Sequence, residues 1–576
     1  MKSGEKYIVV GGGLAGLMAA VKLAEMGKYV DILSIVPCRR SHSVCAQGGI
    51  NASVNTKGEG DSPRMHFEET IYGGDFLANQ ALVLGMCEAA PNIVNMFDRM
   101  GVAFNRTPEG LLDFRRFGGT KFHRTAYAGS TTGQQLLYAL DEQTRRFEVD
   151  GFITRFEGWE FLSAVLDENG IARGVVAINL SSMELKSFKG DAVIMATGGV
   201  GMIYGRSTNS TICTGSAAGA LFEQGVSYAN GEFVQIHPTA IPGEDKNRLM
   251  SEAIRGEGGR VWTYKNGKPW YFLEEWYPKY GNLVPRDIAS RAIIKVCREL
   301  KLGVDGKDMV YLDISHIDRK VLDEKLGGVI EIYEKFVGEN PAKVPMRVFP
   351  AVHYTMGGIY IDQNHMSNVK GILATGECDY QYHGANRLGA NSLLSCIYGG
   401  EVAAKSAVKY VEGLASFENG SKIFDLEVKR QKEFNEHFMR LRGKENPYQL
   451  WEEMAKWMTE HVTVVRYNDK LKATDAKLAE LTERLNDVNI NDLSEWANQP
   501  LIFTRELRNM LFLARVITQG ALLRNESRGS HFKPDFPERN DKEWLKTTIA
   551  KFSVDGPKFS YESVDTSLMQ PRERKY

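Results

Sequence analysis

The chain has 576 residues, which is enough for two to four domains around a large buried core. Charged residues make up 25 % of the sequence and the formal net charge is −1, so no nucleic-acid-binding surface is expected. The seven cysteines include no C-x-x-C pair and no apolar run of about 18 residues occurs, so we predict neither a metal site nor a membrane span in this chain.

The first elements predict a β-α-β unit. Residues 7–10 form an apolar, β-favouring run, which is followed by a glycine cluster, a helical pattern from Leu14 to Met26 and a second strand from Tyr29 to Ser34. Buried-strand patterns recur at residues 192–196 and 371–374, next to Thr-Gly each time. One nucleotide-binding domain therefore collects strands from distant parts of the chain and is interrupted by an insertion.

The predicted fold class is α/β. A Rossmann-like nucleotide-binding domain, residues 1–235 and 350–405, is interrupted by an α+β capping domain at 236–349, where helix and strand signals mix with many aromatic residues. Residues 406–525 have apolar side chains at helical spacing and predict a helical domain. The weakly periodic residues 526–576 predict an extended tail that lies on the surface.

A glycine-rich loop joins the first strand to the first helix. Residues 11–16 have the pattern G-x-G-x-x-G, in which Gly11 permits a tight turn, Gly13 lets the backbone approach a pyrophosphate and Gly16 allows close helix–strand packing. The acidic residue that usually ends the second strand is missing, and Ser34 stands near that place, so a ribose contact there must come from a hydroxyl or the backbone. The loop alone does not decide between FAD and NAD.

A histidine follows the second strand, at the place where the flavin end of a bound dinucleotide would lie. His42 is part of Ser-His-Ser-Val, and the glycine pair Gly48–Gly49 a few residues later would let backbone amides approach a ring. Taken alone, a histidine at such a position is more often structural.

Further segments concentrate side chains that suit a four-carbon diacid. Arginine binds a carboxylate bidentately, and histidine or serine can fill the remaining acceptor sites. If the bond between the two central carbons of such a diacid is oxidised or reduced, a proton must leave or reach one of these carbons. An arginine that donates this proton needs a carboxylate relay, and Glu252 and Arg255 are three residues apart, on one face if helical. Each residue is a weak signal by itself, but the following occur together beside glycine pairs: His237, Ser251, Glu252, Arg255, Arg286, His353 and Arg387.

The segment Ser41–Ile50 resembles the flavin-attachment segment of the succinate dehydrogenase and fumarate reductase flavoprotein subunits, and the later segments match that family in the same order, nearly end to end. The resemblance implies an FAD-binding domain in which His42 carries FAD covalently through a ring nitrogen. It implies cofactor contacts at Gly11, Gly13, Leu14, Ala15, Gly16, Ser34, Ser41, Ser43, Gln47, Gly48, Gly49, Ser216, Glu377, Ser392 and Leu393.

The resemblance also implies roles at the substrate. Arg286 would shuttle the proton, with Glu252 and Arg255 leading to solvent. Succinate or fumarate would be bound by His237, Ser251, His353, Arg387 and the ring of Phe117. The sequence departs from the family pattern at two of these sites: Ser216 stands where many members have Asp, which puts a ribose or adenosine contact in doubt, and Ser251 replaces threonine but keeps the hydroxyl.

The resemblance further implies an iron–sulfur subunit and a cytochrome b-type membrane anchor as partners. The anchor would handle quinone, and the partners would hold the iron–sulfur clusters and any haem. This chain would be a peripheral membrane protein on the cytoplasmic face of the cell membrane. The sequences of several segments are most similar to the branch of this family that works with menaquinone. The direction of turnover remains open.

Two other functions remain as alternatives. L-Aspartate oxidase is a related flavoenzyme with the same substrate clamp, but it lacks the attaching histidine. A flavin-binding protein whose FAD serves assembly or RNA modification would keep the glycine loop but not Arg286, His353 and Arg387 together. Retention of flavin by the acid-denatured chain would separate the first hypothesis from both.

Overall fold

The computed structural model describes residues 5–414 and 421–576. The strands are, in chain order, β1 (Lys6–Val10), β2 (Tyr29–Ser34), β3 (Ile50–Asn51), β4 (Phe114–Arg115), β5 (Thr125–Ala126), β6 (Ile153–Glu157), β7 (Trp159–Leu166), β8 (Ala172–Asn179), β9 (Leu185–Lys189), β10 (Ala192–Met195), β11 (Tyr228–Ala229), β12 (Val234–Ile241), β13 (Arg248–Leu249), β14 (Arg260–Lys265), β15 (Lys268–Trp270), β16 (Val310–Asp313), β17 (Met346–Thr355), β18 (Gly358–Ile359), β19 (Ile372–Ala374), β20 (Lys546–Lys551) and β21 (Lys558–Ser563).

The helices are α1 (Leu14–Glu25), α2 (Pro63–Gly73), α3 (Gln80–Arg99), α4 (Thr132–Val149), α5 (Ser216–Glu223), α6 (Ala253–Gly256), α7 (Phe272–Trp276), α8 (Arg286–Ile294), α9 (Arg319–Val321), α10 (Gly327–Val337), α11 (Ser392–Glu412), α12 (Ser421–Arg440), α13 (Pro447–His461), α14 (Asn468–Arg484), α15 (Gln499–Leu523) and α16 (Asp541–Trp544).

A five-stranded parallel sheet carries the nucleotide-binding half of the molecule. Its strand order is β19-β10-β1-β2-β6, so the strands predicted at the start of the chain, near 192–196 and near 371–374 lie side by side. Ile8 and Val10 belong to one apolar cluster and Tyr7 and Val9 to another, because successive residues of a strand face opposite sides. The sheet is therefore buried on both faces, which confirms the Rossmann-like prediction.

A six-stranded antiparallel sheet forms the predicted capping region. Its order is β13-β12-β17-β16-β14-β15, and β12 and β17 extend a few residues beyond the predicted limits 236–349. These two strands connect the capping region to the rest of the nucleotide-binding half. Side chains on them therefore stand at the boundary between the two halves.

Helices α12 to α15 make up most of the region after the nucleotide-binding half. The continuous helix α11 crosses the position 405–406 at which the sequence predicts a domain boundary, so the change of architecture falls at the end of α11. The long helix α15 packs against α5 and α14, which joins the helical region to the nucleotide-binding half.

The tail is extended and much of it lies on the surface, but residues 526–531 and parts of β20 are buried. Strands β20 and β21 form a hairpin in the sheet β18-β11-β20-β21, and His531 is fully buried. Near the end of the sequence, Arg574 Nη1 lies 3.1 Å from Asp287 Oδ2 and 3.2 Å from Asp75 Oδ2. Ion pairs with other regions compensate the burial of the charged side chains of the tail, which hydrophobic periodicity cannot reveal.

Buried histidines make the stability of this fold depend on pH. His66 has no exposed surface and its Nε2 lies 2.9 Å from Asn391 Oδ1. Burial, assisted by the nearby Arg124, lowers the pKa of His66 from 6.5 to about 3. The unfolded chain binds a proton below pH 6.5 and the folded chain does not, so this stability is present above pH 6.5 and is lost as the pH falls towards 3.

We expect His66→Gln to weaken this dependence. Between pH 6.5 and pH 5 the free energy of unfolding of the unmodified protein should fall by about 2 kcal/mol more than that of the variant, at roughly 1.4 kcal/mol per pH unit. Urea denaturation of both proteins at the two pH values measures the difference. If the free energy of unfolding falls by the same amount in both proteins, His66 is not the titrating group.

Candidate active site

A cavity of about 650 Å³ lies between the parallel sheet and the capping region, beyond the carboxyl ends of β1 and β10. Its volume is in the range of sites for cofactors and small molecules. Two of the residues predicted for the site, Gly16 and Arg255, are not part of its wall. The others all line it: Gly11, Gly13, Leu14, Ala15, Ser34, Ser41, His42, Ser43, Gln47, Gly48, Gly49, Phe117, Ser216, His237, Ser251, Glu252, Arg286, His353, Glu377, Arg387, Ser392 and Leu393.

The glycine-rich loop adopts the geometry that its sequence predicts. Gly11 has φ +118°, which only glycine adopts readily, and a Cβ on Gly16 would come within 1.9 Å of the Gly11 carbonyl oxygen. Helix α1 begins directly after Gly13, and the Leu14 amide donates to Ser43 Oγ at 3.2 Å. The helix N-terminus therefore presents amides and the positive end of its dipole to the cavity, as pyrophosphate binding requires.

His42 begins the short 3₁₀ helix His42–Cys45 and lines the cavity. The Ser210 amide donates to Nδ1 at 3.1 Å, and Nε2 lies 3.2 Å from Asn209 Nδ2. Burial, assisted by the positive charge of Lys246, lowers the pKa of His42 to about 4. The imidazole is therefore neutral at pH 7, and Nε2 is the ring nitrogen that Ser210 leaves available. The sequence alone gave no sign of Asn209 or Ser210, which are about 170 residues from His42.

Arg115 fixes the glycine pair that follows His42. Its Nε donates to the Gly48 carbonyl at 3.1 Å, its Nη2 donates to the Gln47 carbonyl at 3.2 Å, and its guanidinium stands 4.1 Å from the centre of the Tyr127 ring. A Cβ on Gly48 would meet the Phe117 ring at 2.9 Å, so a glycine is needed for this close approach. Sequence reasoning missed Arg115, although it lies two residues before Phe117.

One buried carboxylate holds both arginines of the predicted proton path. Arg286 donates to Glu252 Oε2 through Nη2 at 2.7 Å and through Nε at 2.9 Å, and Arg255 donates to Glu252 Oε1 at 2.9 Å. Burial would raise the pKa of Glu252, but the charges of Arg286 and Arg255 outweigh it and hold the pKa below its usual value. Arg255 continues outward to the Asn282 carbonyl at 2.7 Å. The three side chains form a continuous hydrogen-bonded chain that starts at the cavity wall with Arg286 and Glu252 and ends behind it with Arg255.

Gln235 links the two arginines that face the cavity region. Its Oε1 accepts from Arg286 Nη1 at 2.9 Å, and its Nε2 donates to the Arg387 carbonyl at 2.7 Å. Gln235 is not among the site residues predicted from the sequence. The signal was present, because Gln235 precedes His237 by two positions on β12 and such residues share one face of a strand.

Two histidine rings stand 5.0 Å apart in a T-shaped arrangement, on the neighbouring strands β12 and β17. Thr208 Oγ1 lies 2.7 Å from His353 Nδ1, and the Thr239 amide donates to His237 Nδ1 at 3.2 Å. Burial lowers the pKa of both rings well below 6.5, so they are neutral at pH 7. His237 Nε2 is buried and has no hydrogen-bond partner among residues 5–414 and 421–576. A polar ligand in the cavity can satisfy this atom.

Arg387 adds a positive charge to the same wall. Its guanidinium stands 4.4 Å from the centre of the Tyr354 ring, and its Nε finds no hydrogen-bond partner in the described part of the chain. Burial and the charge of Arg286 lower the pKa of Arg387 to about 9. Two buried cations that face one cavity repel each other, so the site favours an anionic ligand. Its chemistry suits a molecule with more than one carboxylate.

Two further predicted residues, Glu377 and Ser251, have defined hydrogen-bond partners. Glu377 Oε1 accepts from the Thr355 amide at 3.0 Å, and burial raises the pKa of Glu377 to about 7. Ser251 Oγ accepts from the Ala253 amide at 3.2 Å. Ser392 and Leu393 begin α11, whose N-terminus adjoins the cavity.

Replacement of Gln235 by leucine should disturb catalysis through Arg286 rather than through flavin binding. The variant keeps a similar volume but leaves Arg286 Nη1 without its acceptor, so we expect kcat to fall by about 10- to 100-fold with little loss of bound flavin. Steady-state kinetics and flavin absorbance measure the two quantities. Gln224→Leu is a matched control, because Gln224 hydrogen-bonds Ala164 outside the cavity wall. Equal kinetics in both variants would remove Gln235 from the positioning of Arg286.

Comparison with known families defines the class of this protein. The chain matches the family of FAD binding domains over residues 6–393 and the family of fumarate reductase flavoprotein C-terminal domains over residues 451–576. The glycine-rich loop and nearly all residues that line the cavity belong to the first region, and the tail belongs to the second. The molecule is thus a flavoprotein oxidoreductase.

Similar proteins define the family. The chain is 65 % identical to the succinate dehydrogenase flavoprotein subunit of Bacillus subtilis (strain 168), over 100 % of this chain and 99 % of the relative. A structure of an Escherichia coli quinol fumarate reductase FrdA mutant superposes with a TM-score of 0.93 at 34 % identity, covering 99 % of this chain and 98 % of the other. A quinol-fumarate reductase with menaquinol molecules gives a TM-score of 0.91 at 35 % identity, covering 99 % of both chains. This chain belongs to the family of succinate dehydrogenase and fumarate reductase flavoprotein subunits.

Proposed function

We propose that this chain interconverts succinate and fumarate by hydride transfer to or from FAD that is covalently bound through His42. One observation carries the proposal: Arg286, Arg387, His237 and His353 line the same cavity as the dinucleotide loop and His42. The 65 % identical relative is a succinate dehydrogenase subunit, which favours succinate oxidation as the direction of turnover.

The residues of the cavity fit FAD. The Leu14 amide already donates to Ser43, but the next amides in the first turn of α1 suit the pyrophosphate, and Gly48 and Gly49 leave room for a ring. His42 has Nδ1 occupied by the Ser210 amide, so Nε2 is the nitrogen that would attach the cofactor. When bound, FAD supplies an acceptor or donor for a hydride.

The side chains of the substrate wall divide the remaining work. Arg387 and the two histidines bind and orient the carboxylates, which polarises the bond between the central carbons. Arg286 delivers or removes the proton on the neighbouring carbon. Glu252 holds the Arg286 guanidinium by two hydrogen bonds and, with Arg255, restores its proton from outside. Exclusion of water by the capping region strengthens each of these interactions.

Three assays on the purified protein test the function. We expect succinate-dependent reduction of an artificial electron acceptor, no comparable rate with L-aspartate, and yellow flavin that stays with the polypeptide after acid precipitation. Released flavin with L-aspartate turnover would favour the aspartate oxidase alternative. Released flavin with neither activity would favour a role of FAD in assembly or RNA modification.

We propose in addition that electrons leave through an iron–sulfur subunit to quinone at a membrane anchor of cytochrome b type. The similar structure that contains menaquinol molecules supports a quinone of this type.

No helix within residues 5–414 and 421–576 is long and apolar enough to cross a membrane. Membranes from the native cell should therefore release this chain together with an iron–sulfur protein when washed with a chaotrope. Release of this chain as a single component at low ionic strength would contradict the proposed assembly.

A further inference from the structure

One carboxylate oxygen of Glu160 receives no hydrogen bond from the described part of the chain. It lies on β7, lines the same cavity as the glycine-rich loop and is 6 % exposed. Its Oε2 is buried without a hydrogen-bond partner in the described ranges 5–414 and 421–576. A buried carboxylate oxygen without a donor is costly, so the position calls for a donor that enters from the cavity.

The other carboxylates of the cavity wall are already engaged. Glu252 is bound by Arg286 and Arg255, Glu377 accepts from the Thr355 amide, and Glu331 pairs with Lys335. Glu160 Oε2 is thus the carboxylate oxygen of this wall that is both buried and unpaired within the described residues. A ligand group that needs a carboxylate would find it here.

The surroundings of Glu160 place it near the start of α5. The Ser216 side chain lies close to the Glu160 carboxylate, and Ser216 Oγ accepts from Asn509 Nδ2 at 3.1 Å. Arg505 contributes a positive charge nearby, but its Nη1 donates to Asn435. Burial raises the pKa of Glu160 to about 7.

A dinucleotide normally needs an acidic residue for the ribose hydroxyls, and the usual position at the end of β2 provides none here. Ser34 ends β2, and its hydroxyl donates to the Val36 carbonyl at 2.6 Å. Ser216, at the start of α5, offers a hydroxyl alone. We propose that Glu160 is a cofactor-binding residue that accepts hydrogen bonds from the ribose hydroxyls of the adenosine half of FAD. The carboxylate thus reaches the ribose from β7 instead of from β2 or α5.

The rate at which FAD dissociates tests this inference, which rests on FAD binding but not on turnover. In a His42→Ser background the flavin is held without a covalent bond, and its release after dilution is followed by flavin fluorescence. We expect Glu160→Gln to accelerate release by about 10-fold or more, because hydrogen bonds to charged groups are stronger than those to neutral ones.

A second substitution separates binding from folding. Ser216→Asp, added to Glu160→Gln, returns a carboxylate from α5 and should restore slow release to within about threefold of the His42→Ser protein. Asp379→Asn is the matched control, because Asp379 is another buried carboxylate with an unpaired oxygen among the described residues but does not line the cavity. Unchanged release in Glu160→Gln, or faster release that Ser216→Asp does not reverse, would overturn the inference. Absence of succinate turnover would instead affect the proposed function and leave this measurement intact.

Discussion

Arg286→Ala is expected to lower kcat for succinate oxidation by about 10³-fold or more while covalent flavin stays bound. The guanidinium is held by Glu252 at 2.7 Å and by Gln235 at 2.9 Å, so it has a single orientation at the cavity wall. Loss of a positioned proton-transfer group typically costs about 10² to 10⁴ in rate. Alanine also removes one of the two cations that attract the substrate, so KM should rise as well.

Arg291→Ala is the matched control for this prediction. Arg291 lies on the same helix, α8, but donates to the Gly529 carbonyl and to Asp287 instead of facing the cavity. Its variant should keep kcat within about threefold of the parent, as substitutions away from a site usually do. Rates are measured with an artificial electron acceptor and expressed per bound flavin. Near-normal kcat in Arg286→Ala would remove Arg286 from proton transfer.

His42→Ser should eliminate covalent flavin without eliminating FAD binding. The loop amides, Gly48, Gly49 and the adenosine contacts remain, so the native variant should still carry FAD. After acid precipitation, however, the parent should retain all of its flavin and the variant none. Because a covalent bond to the ring would raise the reduction potential of the flavin, the variant should also lose succinate oxidation more completely than fumarate reduction.

The control for His42 is His123→Ala. His123 is partly exposed and pairs with Glu59 away from the cavity, so its loss should leave covalent flavin unchanged. Flavin fluorescence of the denatured polypeptide after electrophoresis gives the result directly. A fluorescent band in His42→Ser would place the attachment on another residue.

The sequence determined the local elements that make the nucleotide site. Alternating burial, the glycines at 11, 13 and 16 and the helix that follows are properties of about 30 consecutive residues, so pattern alone predicts them. His42, Arg286 and Arg387 were predicted from motifs that resemble a known family; the structure places them along one cavity, and their roles stay predictions. The partial burial of the tail was not predicted, since its buried charged side chains form ion pairs with distant regions, which hydrophobic periodicity does not report.

Only the tertiary structure decided which distant side chains meet. Gln235 joins Arg286 to the Arg387 backbone, and Ser210 donates a hydrogen bond to His42. The residues joined by these hydrogen bonds are 51 to 168 positions apart in the sequence. Glu160 lies close to Ser216. Such contacts depend on sheet order and on the packing of the capping region, which a local pattern does not contain. The sequence therefore determined the kinds of chemical groups, while packing decided which of them share one cavity and which are left without a partner until a ligand binds.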